Sequence, residues 1–177
     1  MADIDYWELI PRDAKKEREN IDLGEMEIDT LKTCEVMLNL LHQEVGKAGL
    51  TSRIACDAFW DVNQAHRDAA EIEGQQRIGT RVRVVNKTLS MEWYRNRFAP
   101  GDGSKKSVFS THLSRGKGLR YHRSLFQDEP DWSREVVEYT ENVYANERLK
   151  LSILKEIRKH IKRYERLIKK ESDGEQL

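Results

Sequence analysis

The sequence is poor in the residues that build metal sites and disordered segments. It contains 2 cysteines, 3 prolines and 10 glycines among 177 residues. Cys34 and Cys56 alone cannot form a metal framework, so we expect no metal and assign both to small buried positions. The scarcity of proline and glycine excludes collagen-like and long disordered stretches. A chain of this length fits a single domain with its own hydrophobic core.

Long hydrophobic runs and the motifs of common enzymes are also missing. No apolar run approaches the ~18 residues of a membrane span. The N-terminal MADIDYWELI lacks the basic and apolar regions of a secretory signal, so a cytoplasmic location without a membrane partner follows by elimination. The motifs GxxxxGK(S/T), GxGxxG, GxSxG and HExxH do not occur. We therefore expect no cofactor and no enzymatic activity.

Charge is balanced over the whole chain but not along it. The 31 basic and 31 acidic residues give a net charge of zero. By segment, the net charge is −9 over residues 1–74, +10 over 75–126, −6 over 127–147, +8 over 148–170 and −3 over 171–177. Two cationic blocks on one small protein indicate a polyanionic partner. The alternative is that the acidic blocks neutralise the basic ones within the protein.

Residues 1–74 predict an acidic helical hairpin. Apolar residues recur at three- and four-residue steps over 28–45, as on one face of an amphipathic helix. A short turn is expected between Gly46 and Gly49. A second helix with small alanines on its inward face follows and ends at Gly74.

Residues 75–126 predict a basic antiparallel sheet of three or four strands. The segments 81–85 and 88–98 alternate in the manner of strands and flank a tight turn at Asn86-Lys87. The segments 107–113 and 119–126 supply the third strand and a possible fourth. In the second strand Leu89, Met91 and Trp93 share one face, so we assign Trp93 to the core.

Residues 127–177 predict a long amphipathic helix and an acidic tail. A helix over 132–170 would either break near 145–150 or project from the globule. One apolar stripe should pack against the N-terminal helices or a second subunit. A homodimer is favoured because symmetric DNA binding gains from two copies. The stripe comprises Leu154, Ile157, Ile161, Tyr164 and Ile168.

Basic residues interleave with aromatic residues in the sheet and recur around a glycine turn at 115–118. Cations neutralise phosphates and release counterions, and aromatic or guanidinium planes can stack on exposed bases. For the helical cations, a solvated coiled-coil face is the alternative. The predicted DNA-binding residues are Arg81, Arg83, Lys87, Arg95, Arg97, Lys105, Lys106, Arg115, Lys117, Arg120, Arg123, Lys159, Lys162, Arg163 and Arg166.

Two further groups of residues carry alternative interpretations. Four carboxylates on one side of the second helix form either a solvated face or a docking surface for a basic partner: Asp57, Asp61, Asp68 and Glu71. His112 and His122 flank the basic turn and, with a carboxylate, could form a metal-dependent nuclease site. Residues 75–126 contain only two carboxylates for that purpose. A relaxase would need two histidines on one strand, and the sequence THL at 111–113 offers one.

Three strings in the middle and C-terminal parts resemble the MobI family. They are LSMEWYRNRF (89–98), HLSRGKGLRY (112–121) and PDWSREVVEYTE (130–141), followed by a long basic helix. The MobI proteins are conjugative transfer proteins of SXT-type integrative elements and related conjugative plasmids, and the resemblance covers roughly residues 75–170. It implies an auxiliary mobilisation protein that acts at the origin of transfer and helps the relaxase start DNA processing.

The sequence therefore predicts an α+β protein of one domain, residues 1–177, with an N-terminal helical hairpin, a small antiparallel sheet and a long C-terminal helix. Its expected function is recognition of double-stranded origin-of-transfer DNA and assembly of the relaxosome. The expected partners are the relaxase and a second copy of the chain. The alternatives are a small metal-dependent nuclease using His112 and His122, and a scaffold that binds protein only.

Overall fold

The computed structural model describes residues 23–69, 77–99 and 107–173. These residues form two helices and a three-stranded antiparallel sheet, which is the predicted α+β class. In chain order the elements are helix α1 (Leu23–Ala69), strands β1 (Ile78–Val85), β2 (Thr88–Ala99) and β3 (Ser107–His112), a 3-10 helix (Arg123–Phe126) and helix α2 (Asp131–Ser172).

The predicted N-terminal hairpin is wrong within the described residues, because α1 runs unbroken through the expected turn. Gly46 and Gly49 both lie inside the helix, where each costs about 1 kcal/mol relative to alanine. A Cβ at Gly49 would lie 3.6 Å from the side chain of Leu89. The Ser52 hydroxyl donates to the Ala48 carbonyl oxygen one turn earlier in the same helix (2.8 Å). Gly49 therefore marks a close approach of helix and sheet.

The three strands are paired in the order β1-β2-β3. The predicted tight turn joins β1 to β2, and its two residues, Asn86 and Lys87, have φ angles of 49° and 61°. Positive φ at both central positions is the geometry of a type I′ turn, whose twist matches that of the flanking strands. The turn fixes the register of the hairpin and thereby decides which side chains face the helices.

The core lies between one face of the sheet and the two helices. Trp93 is fully buried, and its ring contacts Phe59 of α1 and Phe126 edge-on, with ring centres 5.2 and 5.3 Å away. Tyr144 of α2 is also fully buried and lies 3.1 Å from the Thr80 hydroxyl. The assignment of Trp93 to the core is therefore confirmed.

The possible fourth strand, 119–126, is absent from the described residues. The carbonyl oxygen of Leu119 accepts from Arg148 (2.7 Å), and the amide of Tyr121 donates to Glu141 (3.0 Å). Side chains of α2 thus satisfy backbone groups that a strand would pair in a ladder. The chain then forms the short 3-10 helix after His122, whose Nδ1 accepts from the Ser124 amide.

Helix α2 is continuous through the region where the sequence allowed a break. In this region two charged side chains of the helix face inward, since Glu147 and Arg148 are both buried. Among the described residues, no helix combines the length and the apolarity needed to cross a membrane.

The chain divides into two compact units. The larger unit, Leu41–Ile157, contains the sheet and the core. The smaller unit comprises Met1–Leu40 and Arg158–Leu177. Its described part is helical over 23–40 and 158–172.

Candidate nucleic-acid interface

The predicted cations of the sheet lie on two different faces. Side chains alternate along a strand, and Met91 and Trp93 face the helices. The opposite face, called here the open face, carries Arg81, Arg83, Glu92, Tyr94, Asn96 and His112. Arg95 and Arg97 alternate in step with Trp93 along β2, so they lie on the face of the sheet that is turned toward the helices.

Arg81 and Arg83 converge on one buried carboxylate. Glu92 accepts hydrogen bonds from Arg81 Nε (2.9 Å), Arg83 Nη2 (3.0 Å) and Ser90 Oγ (3.0 Å). Burial raises the pKa of Glu92, but the hydrogen bonds from Arg83, Arg81 and Ser90 outweigh it and hold the pKa below its usual value. Both arginine side chains stay nearly half exposed, so the group keeps a net positive charge at the surface.

The glycine turn predicted to approach phosphates belongs to a loop over residues 113–121 that is tied to the core at both ends. At its start, the Leu113 amide donates to the Trp93 carbonyl oxygen (2.9 Å). At its end, Leu119 and Tyr121 are held by Arg148 and Glu141 as described above. Residues 114–120, called here the basic loop, carry the exposed Lys117 and Arg120. A loop fixed in this way presents its cations without a large ordering cost on binding.

Glu141 and Arg148 form a buried ion pair at the centre of this arrangement. Arg148 Nη1 donates to Glu141 Oε1 (2.7 Å), and Arg148 Nη2 donates to the Met91 carbonyl oxygen (3.0 Å). Trp93 Nε1 donates to the other oxygen of Glu141 (2.7 Å). The pair therefore joins β2, the basic loop and α2, which contain the three strings that carry the family resemblance.

The other predicted cations of this region differ in their burial and in the groups that they contact. Arg115 is half-buried, and burial together with the nearby charge of Arg148 lowers its pKa. Arg120 donates to the side-chain oxygen of Asn142, and Arg123 is paired with Glu138. Among the described residues no carboxylate lies within ion-pair distance of Lys117, which makes it the freest cation of the basic loop.

Arg95 and Arg97 differ more than their sequence pattern suggests. Arg95 Nη2 donates to the Leu125 carbonyl oxygen (2.6 Å), and its guanidinium lies 3.7 Å from Asp128. Arg97 is exposed at the end of the same face. Arg95 thus holds the 3-10 helix against the sheet, and DNA contact by either arginine stays a prediction.

The remaining predicted cations are scattered. Lys87 is exposed at the tip of the β1–β2 turn, and Lys105 and Lys106 lie outside the described residues. On α2, Lys159, Lys162, Arg163 and Arg166 are exposed, and Lys162 is paired with Glu165 (2.7 Å). All four belong to the smaller unit.

The structure describes only some of the predicted acidic docking residues, and it leaves much of the apolar stripe exposed. Asp57 and Asp61 are exposed on α1, and Asp57 is paired with Arg53 (2.9 Å). The side chain of Asp68 and all of Glu71 lie outside the described residues. In the stripe, Ile157 and Tyr164 are 41% and 51% exposed, whereas Leu154, Ile161 and Ile168 are half-buried. Burial of the whole stripe in an assembly stays a prediction.

The two histidines of the nuclease alternative are not joined by a carboxylate cluster. His112 is exposed on β3 opposite Tyr94, and His122 caps the 3-10 helix. In the described ranges, no group of three or more His, Cys, Asp or Glu side chains could hold a metal ion.

Glu92, Glu141 and Arg148 organise this region of the structure, although the sequence pattern did not single them out. Glu141 and Arg148 are seven residues apart, so they share the helix face of Tyr144. Two opposite charges on an otherwise apolar helix face indicate a buried ion pair. The partners on β2 and in the basic loop could not be read from the sequence, since they depend on the tertiary fold.

One comparison with known proteins gives a match. The family model described as MobI protein matches residues 51–162, more than half of the chain. The match begins before the region that carried the resemblance and includes α1 from residue 51 to its end. No curated protein and no solved structure matches.

Proposed function

We propose that this chain, which belongs to the MobI family of mobilisation proteins, is an auxiliary protein that binds duplex DNA at the origin of transfer. In this role it helps to assemble the relaxosome and leaves strand cleavage to the relaxase. The family gives the chain a role in mobilisation, and the proposal adds the DNA contact and the partner.

The observation that carries the proposal is the anchored basic loop. Lys117 and Arg120 stand on a segment whose two ends are hydrogen-bonded to β2 and α2. Gly116 has a φ of 71°, and nothing lies within 4 Å of a Cβ built on it. A fixed, exposed and glycine-containing loop lets the backbone and the neighbouring cations approach a phosphate closely.

Charge accounts for the proposed affinity. Each phosphate neutralised by a lysine or arginine contributes about −0.9 to the slope of log affinity against log salt. Lys117, Arg120 and the exposed Arg97 offer up to three such contacts in the larger unit. Sequence-specific recognition would require additional contacts to base edges.

The experiment measures affinity for an origin-of-transfer duplex across salt concentrations of about 50 to 200 mM. The Lys117→Ala/Arg120→Ala variant should lose affinity and flatten the salt slope by about two. Lys32→Ala/Lys47→Ala removes the same charge from exposed positions on α1 and should leave the slope within about 0.5 of wild type. Equal changes in both variants would show that only net charge matters and would remove the basic loop from the interface.

The proposed docking surface for the relaxase is the acidic face of α1. Asp57→Asn/Asp61→Asn removes two exposed charges while it keeps side-chain size. Association with the purified relaxase should fall, whereas affinity for naked DNA should stay constant or rise. Unchanged association would favour one of the two alternatives, in which these carboxylates neutralise basic residues within the protein or form a solvated face of α1.

We also propose a homodimer that buries the apolar stripe of α2. Light scattering at tens of micromolar should give twice the mass of 20.8 kDa, and Ile157→Glu should shift the protein to the monomer. A wild-type monomer at that concentration would contradict the dimer.

A further inference from the structure

We propose that the open face of the sheet binds single-stranded DNA, separately from the duplex site of the basic loop. The inference goes beyond the proposed function, because it concerns another surface and another form of the nucleic acid. It follows from one buried carboxylate, two oriented guanidinium groups and two rings on neighbouring strands.

The guanidinium groups are held in place rather than left to move freely. The Glu92 side chain is only 9% exposed, and it receives both arginines at 2.9 and 3.0 Å. Arg81 uses Nε for this contact, and no described residue accepts a hydrogen bond from its two terminal nitrogens, so these nitrogens can donate to an acceptor from outside. Because Glu92 fixes the orientation of both guanidinium groups, Arg81 and Arg83 are preorganised to bind a phosphate.

Tyr94 adds an aromatic plane next to these cations. A Cβ built on Gly79 would lie 2.5 Å from atoms of the Tyr94 ring, so the ring occupies the space that a side chain at position 79 would fill. The Arg81 guanidinium carbon lies 5.5 Å from the centre of the same ring. The guanidinium of Arg81 is therefore supported by a ring on one side and oriented by a carboxylate, and its plane can stack on a base.

The neighbouring strand supplies further groups of the same kind. His112 lies directly opposite Tyr94 in the β2–β3 pairing and is exposed. Ser110 donates to the side-chain oxygen of Asn96 (2.6 Å), which orients the Asn96 amide N–H groups toward other acceptors. Planar groups and amide donors thus run across three adjacent strands.

These groups fit a single strand better than a duplex. In a duplex the bases are stacked on each other, and the grooves admit a protruding helix or ribbon rather than a flat sheet. An unpaired strand exposes both its phosphates and its base planes, and open sheets with aromatic side chains bind such strands by stacking two or three bases. Charge complementarity selects the occupant, because two arginines surround the one carboxylate that this face carries in the described residues.

The test compares a labelled oligothymidylate of about 12 nucleotides with a duplex of equal length by fluorescence anisotropy at low salt. Arg81→Gln/Arg83→Gln/Glu92→Gln removes the cluster without leaving a buried unpaired carboxylate. We expect it to weaken single-strand binding about tenfold and duplex binding by less than about twofold. Lys117→Ala/Arg120→Ala should do the reverse, so a failure here is distinguishable from a failure of the duplex site.

A second variant separates stacking from charge. Tyr94→Leu keeps an apolar side chain over Gly79 but removes the ring, and it should weaken binding of oligothymidylate about three- to tenfold. It should not alter binding of an abasic strand with the same phosphates. Equal binding of abasic and intact strands by the wild type would refute stacking. Absence of single-strand binding, or equal losses for both forms of DNA in the triple variant, would overturn the assignment of this face to single strands.

Discussion

Replacing Arg148 by methionine should destabilise the protein strongly, because it breaks the pair that joins the sheet, the basic loop and α2. The variant leaves Glu141, which is 3% exposed, as a buried charge with two uncharged donors. It also leaves the carbonyl oxygens of Met91 and Leu119 without their donor. Breaking a buried ion pair in this way typically costs about 3–5 kcal/mol.

The loss is measurable by urea unfolding followed through tryptophan fluorescence, since Trp93 lies in the core. For a chain of this size the cost corresponds to a fall of about 6–20 °C in Tm. Arg158→Met on the same helix is the control, because that side chain is exposed and should change stability by less than about 0.5 kcal/mol.

A double variant tests the stated cause. Glu141→Gln with Arg148→Met removes the unpaired charge and keeps one side-chain oxygen, which can accept from either Trp93 or Tyr121, since these donate to different oxygens of Glu141. It should be more stable than Arg148→Met alone by at least about 1 kcal/mol. An Arg148→Met variant within about 1 kcal/mol of wild type would refute the claim that this pair organises the core.

Four further substitutions test other features of the structure. Gly46→Ala should raise stability by up to about 1 kcal/mol in chemical denaturation, since nothing lies within 4 Å of its Cβ; a loss would support a turn in α1. Arg97→Ala should reduce the salt slope of duplex binding by about one without changing Tm, whereas Arg95→Ala should lower Tm because it releases Leu125. The pKa of Glu92 lies below its ordinary value of 4.5, so the unfolded chain binds its proton first as pH falls, and stability should decline from that pH downward. Glu92→Gln should show a weaker decline in acid titrations of stability, and parallel curves for the two proteins would contradict this assignment.

The strands and the core were predictable because their signals are local. Alternation of apolar residues placed Met91 and Trp93 on one face of β2, and the Asn86-Lys87 pair marked the turn. Both features depend on residues that are adjacent along the chain, and the structure has both.

The hairpin and the fourth strand were predicted wrongly because tertiary contacts override local preference. Gly49 disfavours a helix by propensity, but α1 continues through it and packs beside Leu89, whose side chain would lie 3.6 Å from a Cβ at that position. The segment that contains Leu119 and Tyr121 has the composition of a strand. Its backbone groups, however, form hydrogen bonds with side chains of α2 instead of with a neighbouring strand. Neither partner is visible from sequence spacing.

The candidate site was predictable as a set of cations but not as a geometry. The sequence shows that residues 75–126 are strongly basic. Only the register shows that Arg81 and Arg83 lie on the face opposite to the core. Arg95 follows the same pattern in the sequence as Arg97, and its role differs because the 3-10 helix lies beside it.

We propose that the chain binds origin-of-transfer DNA and leaves strand cleavage to the relaxase. The most direct measurement is a footprint of the purified protein on that duplex, run with and without Mg²⁺. We expect one protected region that is the same in both conditions, on strands that stay intact. Metal-dependent cleavage that is lost in His112→Ala, or the absence of protection at any protein concentration, would contradict it.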